Sequence, residues 1–282
     1  MRRAAVLLLL LAAAGPASAS PRAAPHLPTR VDTRLEAALA RLGSSFHGWA
    51  GLYVEDLRTG RYAGWNENAA FPAASTVKVA VLAEGIRRFG YGPRSPIDRD
   101  LRAIGEWSSN EAANRVFALV GGVVPVGRAL RRLGMFSSTY PGPYAVEDER
   151  RPASVSVPTP PPRYHSRVTT ARDLARALFR LQAAATRQRW AVRSTGLSAP
   201  AARAALAYLA LASPGASLLA YPGGARHAEK DGWLDDLRAT AAIAYLRRGN
   251  RIVVVLAYRP GISQSEARDL GRRVSALAFR QR

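Results

Sequence analysis

Hydrophobic periodicity changes twice along this 282-residue chain, and the two changes leave few ways to fold it. Near the start, Val31 to Leu42 carries apolar residues at helical spacing. Gly51 to Leu57 and Arg61 to Trp65 then alternate about Arg58-Thr59-Gly60 as a β-hairpin. Ser75 to Glu84 is so apolar that it predicts a buried helix, and residues 97–212 keep a helical pattern. That pattern is broken by a proline-rich loop from Tyr140 to Arg167, of a length that is usually functional or disordered. After Pro214 the period shortens: Arg226 to Lys230, Leu237 to Leu246 and Arg251 to Tyr258 read as strands, and Ser263 to Phe279 as a closing helix. Both ends thus supply helix and strand while the middle supplies helices alone. The simplest assembly is an α+β fold: an antiparallel sheet flanked by N- and C-terminal helices, with an inserted all-α domain. The expected division is a discontinuous sheet domain from 31–70 plus 215–282 and a helical domain over 71–214, with a cleft between them suited to a ligand.

Residues 1–19 read as a secretory signal peptide, with Arg2 and Arg3 before an apolar run and Ala17-Ser18-Ala19 as a small-residue cleavage site. Pro21, Pro25 and Pro28 make 20–30 an expected disordered leader. The expected location is outside the cytoplasm: periplasmic, extracellular or wall-associated. With no cysteine there is no disulfide framework or thiol nucleophile, and the four histidines are scattered, so neither a metal nor another cofactor is expected. The formal charge of +21 is dispersed in single and paired arginines without interleaved aromatics. That argues for solvated surface and against specific nucleic-acid binding, while allowing electrostatic association with an anionic wall or membrane surface. A monomer is expected.

Lysine usage is more telling than net charge. Only two of 41 basic residues are lysines, Lys78 and Lys230. A chain that uses arginine for surface charge keeps lysine where a guanidinium cannot serve, because an ammonium can lose its proton and act as a base. Ser75-Thr76-Val77-Lys78 sets a hydroxyl and an amine three residues apart, on one face of a helical turn. At a helix start the serine would also have free backbone N–H groups and the positive dipole end nearby. Ser108-Ser109-Asn110 alone reads as a helix cap, and Lys230-Asp231-Gly232 alone as a turn with a surface lysine.

Taken together, in this order and spacing, the three strings resemble the signature of the class A β-lactamases and penicillin-binding proteins: Ser-x-x-Lys, Ser-x-Asn and Lys-Thr/Ser-Gly. The likeness extends to Asp56-Leu-Arg-Thr-Gly-Arg61, Phe71-Pro-Ala-Ala-Ser75, Asn110-Glu-Ala-Ala-Asn114, Thr169-Thr-Ala-Arg-Asp-Leu-Ala175 and Arg251-Ile-Val-Val-Val-Leu256. The resemblance implies that Ser75 attacks the substrate carbonyl with Lys78 as proton acceptor. Ser108, helped by Lys230, would pass a proton to the leaving nitrogen. Asn110 would hold the substrate amide, Gly232 would complete the third motif, and the N–H groups of Ser75 and Trp233 would form the oxyanion hole. Arg238 is expected to meet a substrate carboxylate.

Two departures from the family pattern matter. Asp231 stands where the family has a hydroxyl, and a carboxylate about 4 Å from a substrate carboxylate would cost about 4 kcal/mol at an effective dielectric of 20. The family's deacylating glutamate string, Glu-Pro-Glu-Leu-Asn, is absent; Glu147 and Glu149 lie in the corresponding loop as candidate bases, in no matching context. Three readings follow: a serine hydrolase opening β-lactams, a D-alanyl-D-alanine peptidase or penicillin-binding protein with slow deacylation, and a wall-associated binding protein without turnover.

Overall fold

The computed structural model describes residues 25–145 and 167–280. In chain order the elements are β1 (Arg30–Val31), α1 (Thr33–Ser44), β2 (Trp49–Asp56), β3 (Arg61–Trp65), β4 (Phe71–Pro72), α2 (Lys78–Phe89), α3 (Asp98–Glu106), α4 (Asn110–Leu119) and α5 (Val123–Arg132). They continue with β5 (Val168–Thr169), α6 (Ala171–Ala185), α7 (Arg189–Thr195), α8 (Ala199–Leu209), β6 (His227–Trp233), β7 (Leu237–Ala244), β8 (Arg251–Tyr258) and α9 (Gln264–Ala278).

Six strands make one sheet in the order β1-β3-β2-β8-β7-β6, so β2 from the start of the chain pairs antiparallel with β8 from its end. The fold is α+β, as the periodicity implies, but the sheet is mixed rather than antiparallel throughout, because β1 runs parallel to β3. Of the leader expected to be disordered over 20–30, residues 20–24 lie outside the described residues and the rest is ordered. His26 N–H donates to Leu57 O at 2.8 Å and the Gln188 amide to Pro25 O at 2.8 Å, so residues 25–30 are tied to the body of the protein. The signal-peptide residues 1–19 lie outside the described residues.

Strand alternation divides the core into two layers. Leu52, Val54, Ala242, Val253 and Val255 face α1 and α9, while Tyr53, Ala239, Ala241, Val254 and Leu256 face the helical middle. The covering helices start where short polar side chains stop them fraying. Asp32 caps α1 at Leu35 N, and Ser263 with Glu266 forms a reciprocal capping box on α9. The middle segment packs closely on the sheet: α6, buried along most of its length, lies on β2, β7 and β8, and one apolar cluster spans sheet and helices. It is not all helix, since β4 and β5 form a two-stranded pair ahead of α2.

Candidate active site

Ser75 lies just before α2 rather than inside it. Thr76 N donates to Ala73 O, Lys78 N to Ser75 O and Ala80 N to Val77 O, so the chain enters the helix through tight i-to-i+3 turns and becomes α-helical only at Lys78. The approach is strained. Ala74 has φ of 43°, a left-handed conformation that costs a non-glycine residue on the order of 1 kcal/mol. Three contacts hold it: Ala73 N donates to Arg167 O, Thr76 Oγ1 to Ala73 O at 2.6 Å, and the Tyr144 hydroxyl to Ala74 O at 2.8 Å. The result leaves Ser75 half-exposed among buried neighbours, and among the described residues its N–H and hydroxyl have no hydrogen-bond partner.

Lys78 joins the first string to the second. Its side chain is fully buried, and Nζ donates to Ser108 O and to Asn110 Oδ1, each at 2.5 Å. Ser109 is the N-cap of α4, accepting from Ala112 N at 3.1 Å, so the capping reading holds for the middle residue of that string. Its neighbours turn to Lys78: Ser108 is held at φ 61° with its hydroxyl buried and unpartnered among the described residues, and Asn110 begins the helix.

The third string arrives on β6, the edge strand of the sheet. A Cβ placed on Gly232 would stand 3.1 Å from Ser75 N, from the Ala74 Cβ and from the Thr76 Cγ2, so a bare backbone lies this close to the Ser75 turn without displacing it. Gly232 and Lys230 share a face, which brings the Lys230 side chain to the same side. Its ammonium, 3% exposed as a residue, donates to Asp231 O at 3.0 Å. Burial pushes the Lys230 ammonium below the ordinary lysine range, and the Asp231 and Glu229 carboxylates oppose that shift.

Leu234 and Leu237 exchange both N–H···O bonds across the β6–β7 turn. In antiparallel pairing the next pair, Trp233 with Arg238, is therefore not hydrogen-bonded, and the Trp233 N–H points off the free edge. The Trp233 side chain is 51% exposed.

Two residues lie differently from what the sequence suggests. Asp231 does not share the face of Lys230 and Gly232. It points to the α1 and α9 side, where Thr240 Oγ1 donates to Asp231 Oδ1 at 2.5 Å. Burial and then the nearby Glu229 push its carboxyl above the ordinary aspartate range, against the pull of Lys230 and the Thr240 hydrogen bond. Arg238 is held back at the hairpin by one nitrogen of its guanidinium, Nη1, which donates to Leu234 O and Leu237 O. Glu147 and Glu149 lie outside the described residues.

The structure adds a residue that the sequence did not single out. Tyr144 packs against the amine end of the site, its ring centre 4.3 Å from Lys78 Nζ and 3.8 Å from the Arg167 guanidinium carbon. Asn114 fixes it in both directions, accepting from Tyr144 N at 2.7 Å and donating to Tyr144 O at 2.7 Å. Asn114 belongs to the Asn110-Glu-Ala-Ala-Asn114 string; the tyrosine sits in a loop with no periodic signal.

A mixed sheet with helices on both faces, and a serine turn, a buried lysine and a lysine-bearing edge strand converging at its rim, define the class of β-lactamases and penicillin-binding proteins. Residues 34–100 and 86–281 match the profile of the beta-lactamase enzyme family, and the chain belongs to that family. Solved structures agree on the fold. PBP-A has a TM-score of 0.69 at 19% identity, covering 88% of this chain and 97% of that one. A beta-lactamase from Sphaerobacter thermophilus gives 0.67 at 19%, covering 88% and 96%, and one from Desulfarculus baarsii gives 0.67 at 20%, covering 88% and 98%. No curated protein sequence matches.

Among the described residues no group of three or more histidines and carboxylates could hold a metal ion, and no helix is long and apolar enough to cross a membrane.

Proposed function

We infer that the protein is an exported serine hydrolase that opens the amide bond of a β-lactam through an acyl-enzyme on Ser75. The single observation that carries this reading is the approach of the Gly232 backbone to the Ser75 turn. It brings the N–H groups of Ser75 and Trp233, unpaired among the described residues, to where they can flank one carbonyl oxygen.

The steps follow from the side chains present. Ser75 Oγ bonds to the carbonyl carbon as its proton passes to the Lys78 amine, and the electron pair of the C=O bond moves to the oxygen between the two N–H groups. The carbonyl then re-forms, the C–N bond breaks, and the ring nitrogen takes a proton through the Ser108 hydroxyl, with Lys230 supplying positive charge beside it. Asn110 shares its side chain between Lys78 and the substrate amide. Gly232 leaves room for the acyl group along the β6 edge. Because Asp231 turns to the other face and leans towards its neutral form, the 4 kcal/mol repulsion expected of a carboxylate facing the substrate does not apply.

A second reading, slow deacylation as in a penicillin-binding protein or a D-alanyl-D-alanine peptidase, is favoured by Tyr144. Its ring lies 4.3 Å from Lys78 Nζ, and the sequence lacks the Glu-Pro-Glu-Leu-Asn string that carries the family's deacylating glutamate. One of the similar structures is described as a mutant of PBP-A in an acyl-enzyme complex with penicillin G.

Mature protein mixed with nitrocefin and with a fluorescent penicillin separates the readings. Sustained nitrocefin hydrolysis lost in Ser75→Ala supports a β-lactamase, and a durable label on Ser75 supports slow deacylation. If neither reagent reacts with folded protein, and a fluorophosphonate also leaves Ser75 unlabelled, the acyl-enzyme reading fails and the binding-protein alternative stands.

A further inference from the structure

The far end of the sheet carries a second concentration of chemistry. β6 reaches Ser75 with its Gly232 end, and its other end, His227, pairs with Ala244. Beyond Ala244 the turn into β8 brings Arg247, Arg248 and Arg251 beside Arg58, from the β2–β3 turn, and Arg280, past the end of α9. These five arginines line one cavity of about 960 Å³, and none of its lining residues is acidic.

Several of the chain's other guanidinium groups are neutralised, although single exposed arginines such as Arg34, Arg99 and Arg128 are not among the described residues; what sets the cavity apart is that its arginines are gathered in one place. Glu84 holds Arg87, Arg88 and Arg132; Asp98 holds Arg102; Asp100 holds Arg115; Glu67 holds Arg172; and Glu266 holds Arg259. In the cavity only Arg251 has such a partner, Asp56 at 2.9 Å. Arg58 donates instead to a neighbouring backbone carbonyl, Arg248 O at 3.2 Å, and Arg247, Arg248 and Arg280 have no carboxylate partner among the described residues. Arg58, Arg247, Arg248 and Arg280 are all exposed, so their forked donors are available.

Like charges gathered in one concavity repel one another, and an anion entering it relieves that repulsion while gaining bidentate hydrogen bonds. The geometry points to this cavity as a docking site for a phosphate-bearing polymer strand, read through its phosphates. The donors line a hollow rather than a plane. None of the large exposed apolar side chains borders it, so it lacks the wedge that would seat a bilayer. It also offers no exposed aromatic ring on which a base could stack, because Tyr245 and Phe279 are both partly buried. The site stands independently of the reading of Ser75, since it lies at the opposite end of β6.

The test is calorimetric titration of the full mature chain with short-chain inorganic polyphosphate at several salt concentrations. The triple variant Arg58→Ser, Arg247→Ser, Arg248→Ser is compared with a control that removes the same charge at exposed positions elsewhere, Arg34→Ser, Arg99→Ser, Arg128→Ser. The cavity variant is expected to bind at least tenfold more weakly, with a salt slope shallower by roughly 2, the value for three lost phosphate contacts on a single strand. The control is expected to stay within threefold of the natural chain. Thermal melts confirm that both variants are folded.

Equal weakening in the control overturns the site and leaves only general charge. A single-stranded oligonucleotide with as many phosphates that binds more tightly than polyphosphate, or phosphatidylglycerol vesicles that bind in the same arginine-dependent way while polyphosphate does not, overturns the assigned occupant.

Discussion

Replacing Gly232 with alanine tests the contact on which the site depends. The new Cβ would stand 3.1 Å from Ser75 N, the Ala74 Cβ and the Thr76 Cγ2, whereas ordinary contact begins near 3.4 Å. All three atoms are backbone or short, rigid side chain, so none can swing away. The β6 edge and the serine turn must therefore separate by about 0.3 Å. A 1 Å misplacement of reacting groups costs about 100-fold in rate, so a shift of this size predicts acylation slower by about fourfold. The overpacking costs about 1 kcal/mol of stability.

The assay is the second-order rate constant for labelling Ser75 with a fluorescent penicillin, measured beside a thermal melt. Ala74→Gly removes one of the three opposing atoms and accepts φ of 43° without strain, so adding it to Gly232→Ala should restore part of the rate. If Gly232→Ala labels as fast as the natural chain, the register of β6 against Ser75 does not set the chemistry, and the oxyanion assignment falls with it.

Two other outcomes are expected. Tyr144→Phe keeps the ring beside Lys78 but removes the donor to Ala74 O, and should slow labelling about fivefold, the equivalent of one hydrogen bond of about 1 kcal/mol; Tyr144→Leu removes both contacts and should slow it further. Equal rates in the two variants would leave the ring without a role. Glu55 is buried with Oε1 unpartnered among the described residues and Oε2 accepting from the Tyr53 hydroxyl at 3.0 Å, and burial pushes its carboxyl from 4.5 up to about 8. Because the folded state holds the proton more tightly than the unfolded chain, this group lowers stability progressively as pH rises from 4.5 through about 8. The full interval corresponds to on the order of 5 kcal/mol. Glu55→Gln should flatten that slope in urea melts between pH 5 and pH 9; parallel slopes in the two proteins would contradict the assignment.

Much of this architecture was legible before the structure. Alternating apolar residues in β2, β7 and β8, against the helical spacing of the middle, set out the sheet and its covering layers, because burial on one face leaves a period in the sequence. The spacing of Ser75 and Lys78 and the order of the three short strings pointed to the residues that the fold gathers. What stayed hidden depended on packing between segments distant in sequence. Asp231 reads like its neighbours along the chain, and its face is settled only once Gly232 is seen against Ser75, since one position of register turns a side chain to the other side of the sheet. Arg238 could reach a ligand by count of residues, but that count gives no sign that Nη1 is bonded to the adjacent carbonyls of Leu234 and Leu237. Tyr144 gave no signal because it lies in an irregular loop, and the residue that fixes it, Asn114, binds backbone rather than a recognisable side chain. The ordered stretch before α1 was missed for a similar reason: its prolines suggest disorder, while its hydrogen bonds are to Leu57, Gly60 and Gln188 far along the chain.

Both lysines lie inside the molecule, Lys78 at 0% and Lys230 at 3% exposure. The outer positive charge of the folded protein is therefore guanidinium almost throughout, and it persists in alkaline solution where a lysine-rich surface would discharge. An amine-selective acetylating reagent would find no lysine on the outside to consume it. Its incorporation into internal peptides would report how often the packing around Lys78 and Lys230 opens, so the chain carries its own chemical gauge of breathing at the site.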